Sequence, residues 1–381
     1  MGWTAFEETA MQRALDVARR GAGFVEPNPM VGAVVATSGG AIVGEGWHTR
    51  FGAAHAEVAA LTAAGADARG GTLFVTLEPC CHHGKTPPCT DAIAAAGIAR
   101  VVVGTHDPFP QVAGRGIATL RAAGITVDTG LLEPAASRLI APFAKLVRTG
   151  QPWVIAKWAM SLDGHMAAPA SAGDRWISSE DSRRLVHELR GRCDAILVGI
   201  GTALADDPLL TVRPAGPRVP LRIVVDSTAR LPRSSRLVQS IHEAPLLVAV
   251  GPDAPADRIG ALEAAGCEVW RSDLADRDAR LRALLAHLGT RRLTNLLVEG
   301  GPHLLASFAA IAAIDEVWAF VAPKLLGGAI TPAITGHGVA ASALGGSIDI
   351  EEITHPGGDI LIRGTVSPRG GPITPCVRSR R

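Results

Sequence analysis

The spacing of apolar residues changes several times along the first third of the chain. Over residues 6–20 it is helical and stops at Gly21, so a helix is predicted there. Residues 31–37 and 41–48 are β-rich runs separated by Ser38-Gly39-Gly40, which predicts a hairpin. A helix over 57–64, a strand over 72–77, a helix over 90–96 and a strand over 100–104 complete a layered α/β domain. At Arg148-Thr149-Gly150-Gln151-Pro152 the pattern resets in a polar stretch punctuated by Gly and Pro. Beyond it, strands are predicted at 153–158, 195–199, 221–226, 245–250, 293–298 and 316–321, with helices at 179–190 and 275–288. This is a second α/β domain. The expected division is 1–147, 148–366 and a Pro-, Gly- and Arg-rich flexible tail at 367–381.

Composition narrows the classes of function. With 47% hydrophobic and 19% charged residues over 381 positions, the chain suits two or three folded cores. Its formal charge is +1, which offers no field for a polyanion, so no nucleic-acid partner is expected. No apolar run reaches the roughly 18 to 20 residues that span a bilayer. Glu7 and Glu8 stand where a signal peptide has basic and then apolar residues, so a cytoplasmic protein without a membrane partner is expected. Six cysteines are too few for a disulfide scaffold, and Cys80, Cys81 and Cys89 cluster, which points to metal.

His55-Ala56-Glu57 opens a helix, while Glu78-Pro79-Cys80 ends a strand and Cys89 begins the next helix. One imidazole and two thiolates make a catalytic zinc set, leaving a fourth position for water. A glutamate two residues after the histidine fits the proton shuttle of zinc deaminases. His55 and Glu57 do not share a helix face, so both reach one water only at the helix start. Eight residues separate Cys80 from Cys89, and among them Cys81, His82 and His83 are rival ligands, which would suit a closed structural knot. Gly84-Lys85-Thr86 imitates the end of a P-loop, but Pro79 stands where that motif needs Gly. His187-Glu188 imitates a zincin, but Gly191 replaces its second His.

Three segments together resemble the bifunctional deaminase–reductase family of riboflavin biosynthesis. They are Pro27-Asn28-Pro29-Met30-Val31-Gly32, His55-Ala56-Glu57, and the run from Thr76 through Cys89 with its His-His-Gly-Lys-Thr-Pro-Pro loop. The resemblance implies a cytidine-deaminase-like α/β/α domain followed by a dihydrofolate-reductase-like α/β domain. It implies one zinc ion on His55, Cys80 and Cys89, with Glu57 as catalytic shuttle. It places deaminase substrate contacts on Asn28, His48, His82 and Lys85. An amide held between two prolines suits reading a pyrimidine edge. The family usually has Asn where this chain has Phe109, and often Ser at Cys81.

In the second domain no complete G-x-G-x-x-G occurs, but a predicted strand runs into Glu299-Gly300-Gly301-Pro302 and a helix begins near His303, which suits a phosphate. The resemblance implies NADPH there, held by Gly301, Pro302, His303, Leu304, Leu305, Ala306 and Ser307 with Ala159, Trp176, Thr202, Asp206 and Ser227. It implies a phosphoribosyl substrate held by Asp174, Arg190, Leu210, Arg213 and Glu299. Arginine supplies the always-charged fork that a phosphate needs. Lys157 and Asp163 are motif positions to which no role is assigned. The partners expected are small-molecule phosphoribosylaminopyrimidines, and a homo-oligomer is the default. The rivals are a nucleic-acid base deaminase, which the neutral charge and absence of Tyr oppose, and a zinc-stabilised binding module.

Overall fold

Helix α1 (Ala5–Ala18) starts from a capping box: the Thr4 hydroxyl accepts the Glu7 amide, and the Glu7 carboxylate accepts the Thr4 amide. In the computed structural model, which describes residues 2–82, 87–110, 112–166, 176–327 and 347–367, this helix covers one face of a five-stranded sheet. The strands are β1 (Gly32–Ala36), β2 (Ile42–Trp47), β3 (Thr72–Leu77), β4 (Arg100–Thr105) and β5 (Thr126–Thr129), in the order β2-β1-β3-β4-β5. β1 is antiparallel to β2 and β3, whereas β3, β4 and β5 run parallel.

Period-two alternation sorts the strand residues between two layers. Val34, Phe74 and Val102 meet Ala10, Met11 and Ala14 of α1. Ala33, Val35, Leu73, Val75, Val101 and Val103 face the other way, onto α2 (Ala56–Ala64), α3 (Cys89–Ala95) and α4 (Arg115–Ala122). The central strands β1, β3 and β4 are therefore buried on both faces and sandwiched between helices. Helix α2 lies directly on β2, where a Cβ on Gly44 or Gly46 would come within 2.3 Å of Ala60 backbone atoms. Glycine at both positions lets the helix backbone sit flush on the strand, which fixes where α2 begins.

α5 (Glu133–Leu139) and α6 (Ala141–Thr149) close this unit. The chain divides between Gln151 and Pro152, later than the expected boundary after 147, because α6 continues until Gly150 ends it with φ of 65°.

The second unit begins with β6 (Trp153–Ser161), followed by α7 (Glu180–Arg190), β7 (Ala195–Gly199), α8 (Ile200–Asp206) and β8 (Leu221–Val225). Then come α9 (Arg236–Gln239), β9 (Leu246–Val250), α10 (Ala256–Ala264), β10 (Glu268–Arg271), α11 (Arg277–Thr290), β11 (Asn295–Val298) and α12 (Pro302–Ala310). β12 (Glu316–Ala322), β13 (Ile348–Thr354) and β14 (Ile360–Val366) complete a nine-stranded sheet, ordered β10-β9-β8-β7-β11-β6-β12-β14-β13. All pairs from β10 through β12 are parallel, and β14 and β13 extend that edge antiparallel. Two apolar clusters cover its faces, one centred on Ile196, Val224 and Val248, the other on Leu197, Ile223, Leu247 and Phe308. Consecutive strands β6 and β7 are separated by β11, so chain order reverses there, and ligand crevices form at the carboxyl ends of strands around such a point. No helix among the described residues is long and apolar enough to cross a membrane. The expected tail, from residue 368 on, lies outside the described residues.

Candidate active sites

In the first unit two helix starts converge on one another. His55 is the N-cap of α2 and Cys89 the first residue of α3, while Cys80 lies on the turn leaving β3. His55 Nδ1 is 3.3 Å from Cys89 Sγ and 3.5 Å from Cys80 Sγ, and all three donor atoms lie within 4.8 Å of one another. Tetrahedral zinc with N at about 2.0–2.1 Å and S at about 2.3 Å requires N to S separations of about 3.6 Å, so the set fits that ion. Cys81 and His82 stay outside the group, no fourth ligand atom joins it among the described residues, and His83 lies outside those residues. Among the described residues this arrangement is that of an open site rather than a closed knot.

Electrostatics agree. The Cys89 amide, first of α3, donates to Cys80 Sγ at 3.4 Å. The Cys89 thiol and His55 draw Cys80 down to about 4, and the same thiol-to-thiolate hydrogen bond with burial pushes Cys89 up. One thiolate is thus stabilised by a helix start and an imidazole before any ion enters. Glu57 is 3% exposed, and burial pushes its carboxyl up to about 7, against the pull of His55. It is hydrogen-bonded to Cys89, so it borders the donor set without belonging to it.

Asn28 and His48 are also brought here, with Asn28 Nδ2 3.3 Å from His48 Nε2 and the His48 ring packed edge-on to His55 at 5.4 Å. Burial lowers the His48 pKa. His82 packs against Phe109 with centroids 6.2 Å apart, and its Nδ1 is buried with no partner among the described residues. The phenyl ring that replaces the family's amide therefore meets a proposed substrate contact. Lys85 lies outside the described residues.

Sequence reasoning gave Glu78 no role. Its buried carboxylate accepts four backbone amides, from Asp107 at 3.3 Å, Gly114 at 3.0 Å, Gly116 at 3.0 Å and Ile117 at 3.3 Å. A Cβ on Gly116 would fall 2.0 Å from the Pro79 oxygen, so the start of α4 is pressed against the turn carrying Cys80. The partners lie 29 to 39 residues downstream, and no local motif signals them.

In the second unit the carried-over positions gather largely at strand ends. Ala159 is on β6, Thr202 opens α8 after β7, Ser227 follows β8, and Glu299 through Gly301 follow β11. The Thr202 hydroxyl accepts the Gly301 amide at 3.1 Å, tying two of these ends together. Pro302 has no amide proton, and the amides of Leu304 and Leu305 both donate to the Gly301 oxygen. The His303 amide is then the first-turn donor left to a ligand. Leu304, Leu305, Ala306 and Ser307 bury their side chains, so they line the core rather than a cleft. Trp176 is exposed and carries the Arg183 guanidinium 4.9 Å over its ring. Asp206 ends α8.

Arg190 makes a bidentate bond to Glu299, at 2.5 and 2.9 Å, with Lys157 Nζ 3.9 Å from the same carboxylate. His187 joins this group through the Arg213 amide, which donates to its Nδ1 at 3.3 Å. Burial lowers the Lys157 pKa against the pull of Glu299. Burial also opposes ionisation of Glu299, but Arg190 and Lys157 outweigh it and hold that carboxyl below its usual range. Two cations from two elements, Arg190 of α7 and Lys157 of β6, thus form one largely buried cationic cluster around the single acid Glu299, and sequence reasoning had assigned only Arg190 and Glu299 to it. Leu210 is buried in the apolar core, and Asp174 lies outside the described residues. Asp163 holds the Leu326 and Gly327 amides at 2.9 and 2.7 Å, a tether between the ends of β6 and β12.

Comparison with known proteins joins the two halves. The profile of the cytidine and deoxycytidylate deaminase zinc-binding region matches residues 4–105, and that of the RibD C-terminal domain matches 152–361. Riboflavin biosynthesis protein RibD of Escherichia coli is 39% identical over 376 residues, covering 93% of this chain and 98% of that protein. The chain belongs to the RibD family. The RibD protein of Aquifex aeolicus is 41% identical over 322 residues, covering 84% of this chain and 88% of its own. Among solved structures, RibD of Acinetobacter baumannii superposes with a TM-score of 0.81 at 32% identity, covering 95% of this chain and 99% of that one. A diaminohydroxyphosphoribosylaminopyrimidine deaminase/5-amino-6-(5-phosphoribosylamino)uracil reductase of Thermotoga maritima gives 0.80 at 34% identity, with the same coverage. Like other RibD proteins, this chain couples a zinc-binding, cytidine-deaminase-like domain to a dihydrofolate-reductase-like reductase domain and is a bifunctional enzyme of riboflavin biosynthesis.

Proposed function

We propose that the first unit deaminates 2,5-diamino-6-(5-phosphoribosylamino)pyrimidin-4-one and that the second uses NADPH to reduce the ribosyl group of 5-amino-6-(5-phosphoribosylamino)uracil to ribityl. The observation that carries the reading is the open His55, Cys80, Cys89 set with buried Glu57 against its rim. When bound, zinc lowers the pKa of water to about 7, which makes a nucleophile available at neutral pH. Glu57 accepts the proton of that water on a carboxylate oxygen and returns it to the departing amine. Water enters and ammonia leaves, so the C–NH2 group becomes a carbonyl. A carboxyl near neutral pKa suits both directions of this transfer. Asn28 and His82, with Lys85, are assigned to substrate, and His48 to the wall of the same pocket behind Asn28.

In the second unit NADPH, when bound, would supply the hydride that the opened ribosyl carbon takes up, and the chain orients both partners. The turn at Gly301–His303 faces the cofactor phosphates, supported by the helix start there. Arg190, Arg213 and Lys157 supply charge for the phosphoribosyl group, and Glu299 holds Arg190 in place. The substrates are small molecules, with no nucleic acid or membrane involved, and the enzyme acts in the cytoplasm as a homo-oligomer. Incubating the zinc-loaded protein with the diaminopyrimidine and NADPH, while following ammonia and cofactor absorbance separately, tests both halves. Ammonia without cofactor oxidation rejects the reductase assignment, and absence of ammonia rejects the deaminase assignment.

A further inference from the structure

Both ring nitrogens of buried His48 are engaged inside the protein. Nδ1 lies 3.1 Å from the Ala54 carbonyl oxygen, and Nε2 lies 3.3 Å from Asn28 Nδ2. A carbonyl oxygen only accepts, so the proton of the first contact belongs to Nδ1. An amide nitrogen only donates, so at the second contact Nε2 is the acceptor. Nε2 therefore carries a lone pair. That lone pair accepts one N–H of Asn28, and a reversed amide would set Oδ1 against it with no proton between them. The Asn28 backbone is fixed as well, its amide donating to the Val25 oxygen at 2.9 Å between Pro27 and Pro29.

From this chain of contacts we infer that His48 is a positioning residue: it sets the polarity of the Asn28 amide rather than touching substrate itself. Asn28 then presents its second N–H and its Oδ1 in a fixed order, and neither makes another side-chain hydrogen bond among the described residues. The inference rests on the deaminase reading for the identity of what is bound. The matching edge is the lactam of a pyrimidinone, in which a ring N–H donates and the adjacent oxo group accepts. A cytosine edge, with an accepting ring nitrogen and a donating amino group, needs the opposite order, so Ala54 and His48 together select the lactam class.

A double-substitution cycle tests this with the full-length, zinc-loaded protein, using Asn28→Ala, His48→Leu and both together. Each single change is expected to lower kcat/KM for ammonia release by about 10- to 100-fold, with zinc content unchanged. The double variant is expected to match Asn28→Ala within about twofold, since His48 has nothing left to orient. Losses that multiply overturn the inference, as does a silent His48→Leu. If His48→Leu does not fold, long-range proton–nitrogen spectra of the unsubstituted protein labelled at histidine decide the matter. The Nδ1–H tautomer is expected, and an Nε2–H tautomer or an imidazolium overturns it. Absence of ammonia release from the unsubstituted chain would sink the functional reading instead and leave the tautomer measurement to judge His48.

Discussion

Replacing Glu78 by Gln removes a charge but almost no volume, and the structure sets its cost. One carboxylate oxygen accepts the Gly116 and Ile117 amides and the other accepts those of Asp107 and Gly114. A carboxamide keeps one accepting oxygen and turns an NH2 group toward two backbone N–H donors. Two hydrogen bonds to a charged acceptor are lost, each worth about 1.5–3 kcal/mol, and the remaining pair weakens with the charge. Water admitted to the site offsets part of this, so about 3–5 kcal/mol is expected for local opening of the segment from 107 to 117. Amide hydrogen exchange reads that opening directly, because about 1.4 kcal/mol is tenfold in the open population. Exchange at Gly114, Gly116 and Ile117 should accelerate by about 10² to 10³ while amides of β1 and β3 keep their rates. Since Cys80 lies two residues beyond Glu78, zinc affinity should also fall, by about 10- to 100-fold as for other outer partners of ligand residues. Protection unchanged within about threefold would refute the claim that this carboxylate clamps the segment.

Glu57→Gln should leave one zinc per chain by metal analysis while ammonia release falls by about 10²–10⁴-fold; normal release removes Glu57 from the proton path. Chelating the zinc should abolish ammonia production yet leave reduction of the deaminated substrate intact, since the second unit has its own sheet and clusters; joint loss would contradict that separation. Arg190→Met should raise KM for the reductase substrate and leave deamination unchanged, and equal loss of both activities would argue against its placement. The Glu299 carboxyl, held low by Arg190 and Lys157 despite burial, has a folded pKa below its unfolded value of about 4.3. Its stabilising effect is therefore complete above that pH and lost as pH falls below it. Glu299→Gln should flatten the acid limb of the unfolding midpoint below about pH 4.3, and an unaltered acid limb would count against the ion pair.

How much of this was legible in the sequence depends on how local each signal is. Strand β3 and strand β7 have the expected bounds, because continuous apolar runs bounded by turn residues mark buried parallel strands. The donor set was legible because His55 and Cys89 sit at helix starts and Cys80 just past a strand end, each within a short motif. The helix expected near His303 begins at Pro302, the position proline prefers. The hairpin of β13 and β14 was not expected; β13 is exposed along most of its length, so no alternation marks a buried face. The roles of Lys157 and Glu78 were invisible for a different reason. Lys157 meets a carboxylate 142 positions later only because β6 lies beside β11 (299 − 157). Glu78 meets amides, which every residue carries and no sequence pattern displays. His187, dismissed as an imitation of a protease motif, proves to border the cationic cluster through a backbone contact.

The burial of Leu304, Leu305, Ala306 and Ser307 bears on redesign of the reductase half. If a nucleotide is gripped there by main-chain groups, the side chains at those positions answer to packing alone, and exchanging them for other apolar residues of similar size should leave the choice of dinucleotide untouched. Engineering that choice would have to begin with side chains outside the turn, such as Ser227 beyond the next-but-one strand.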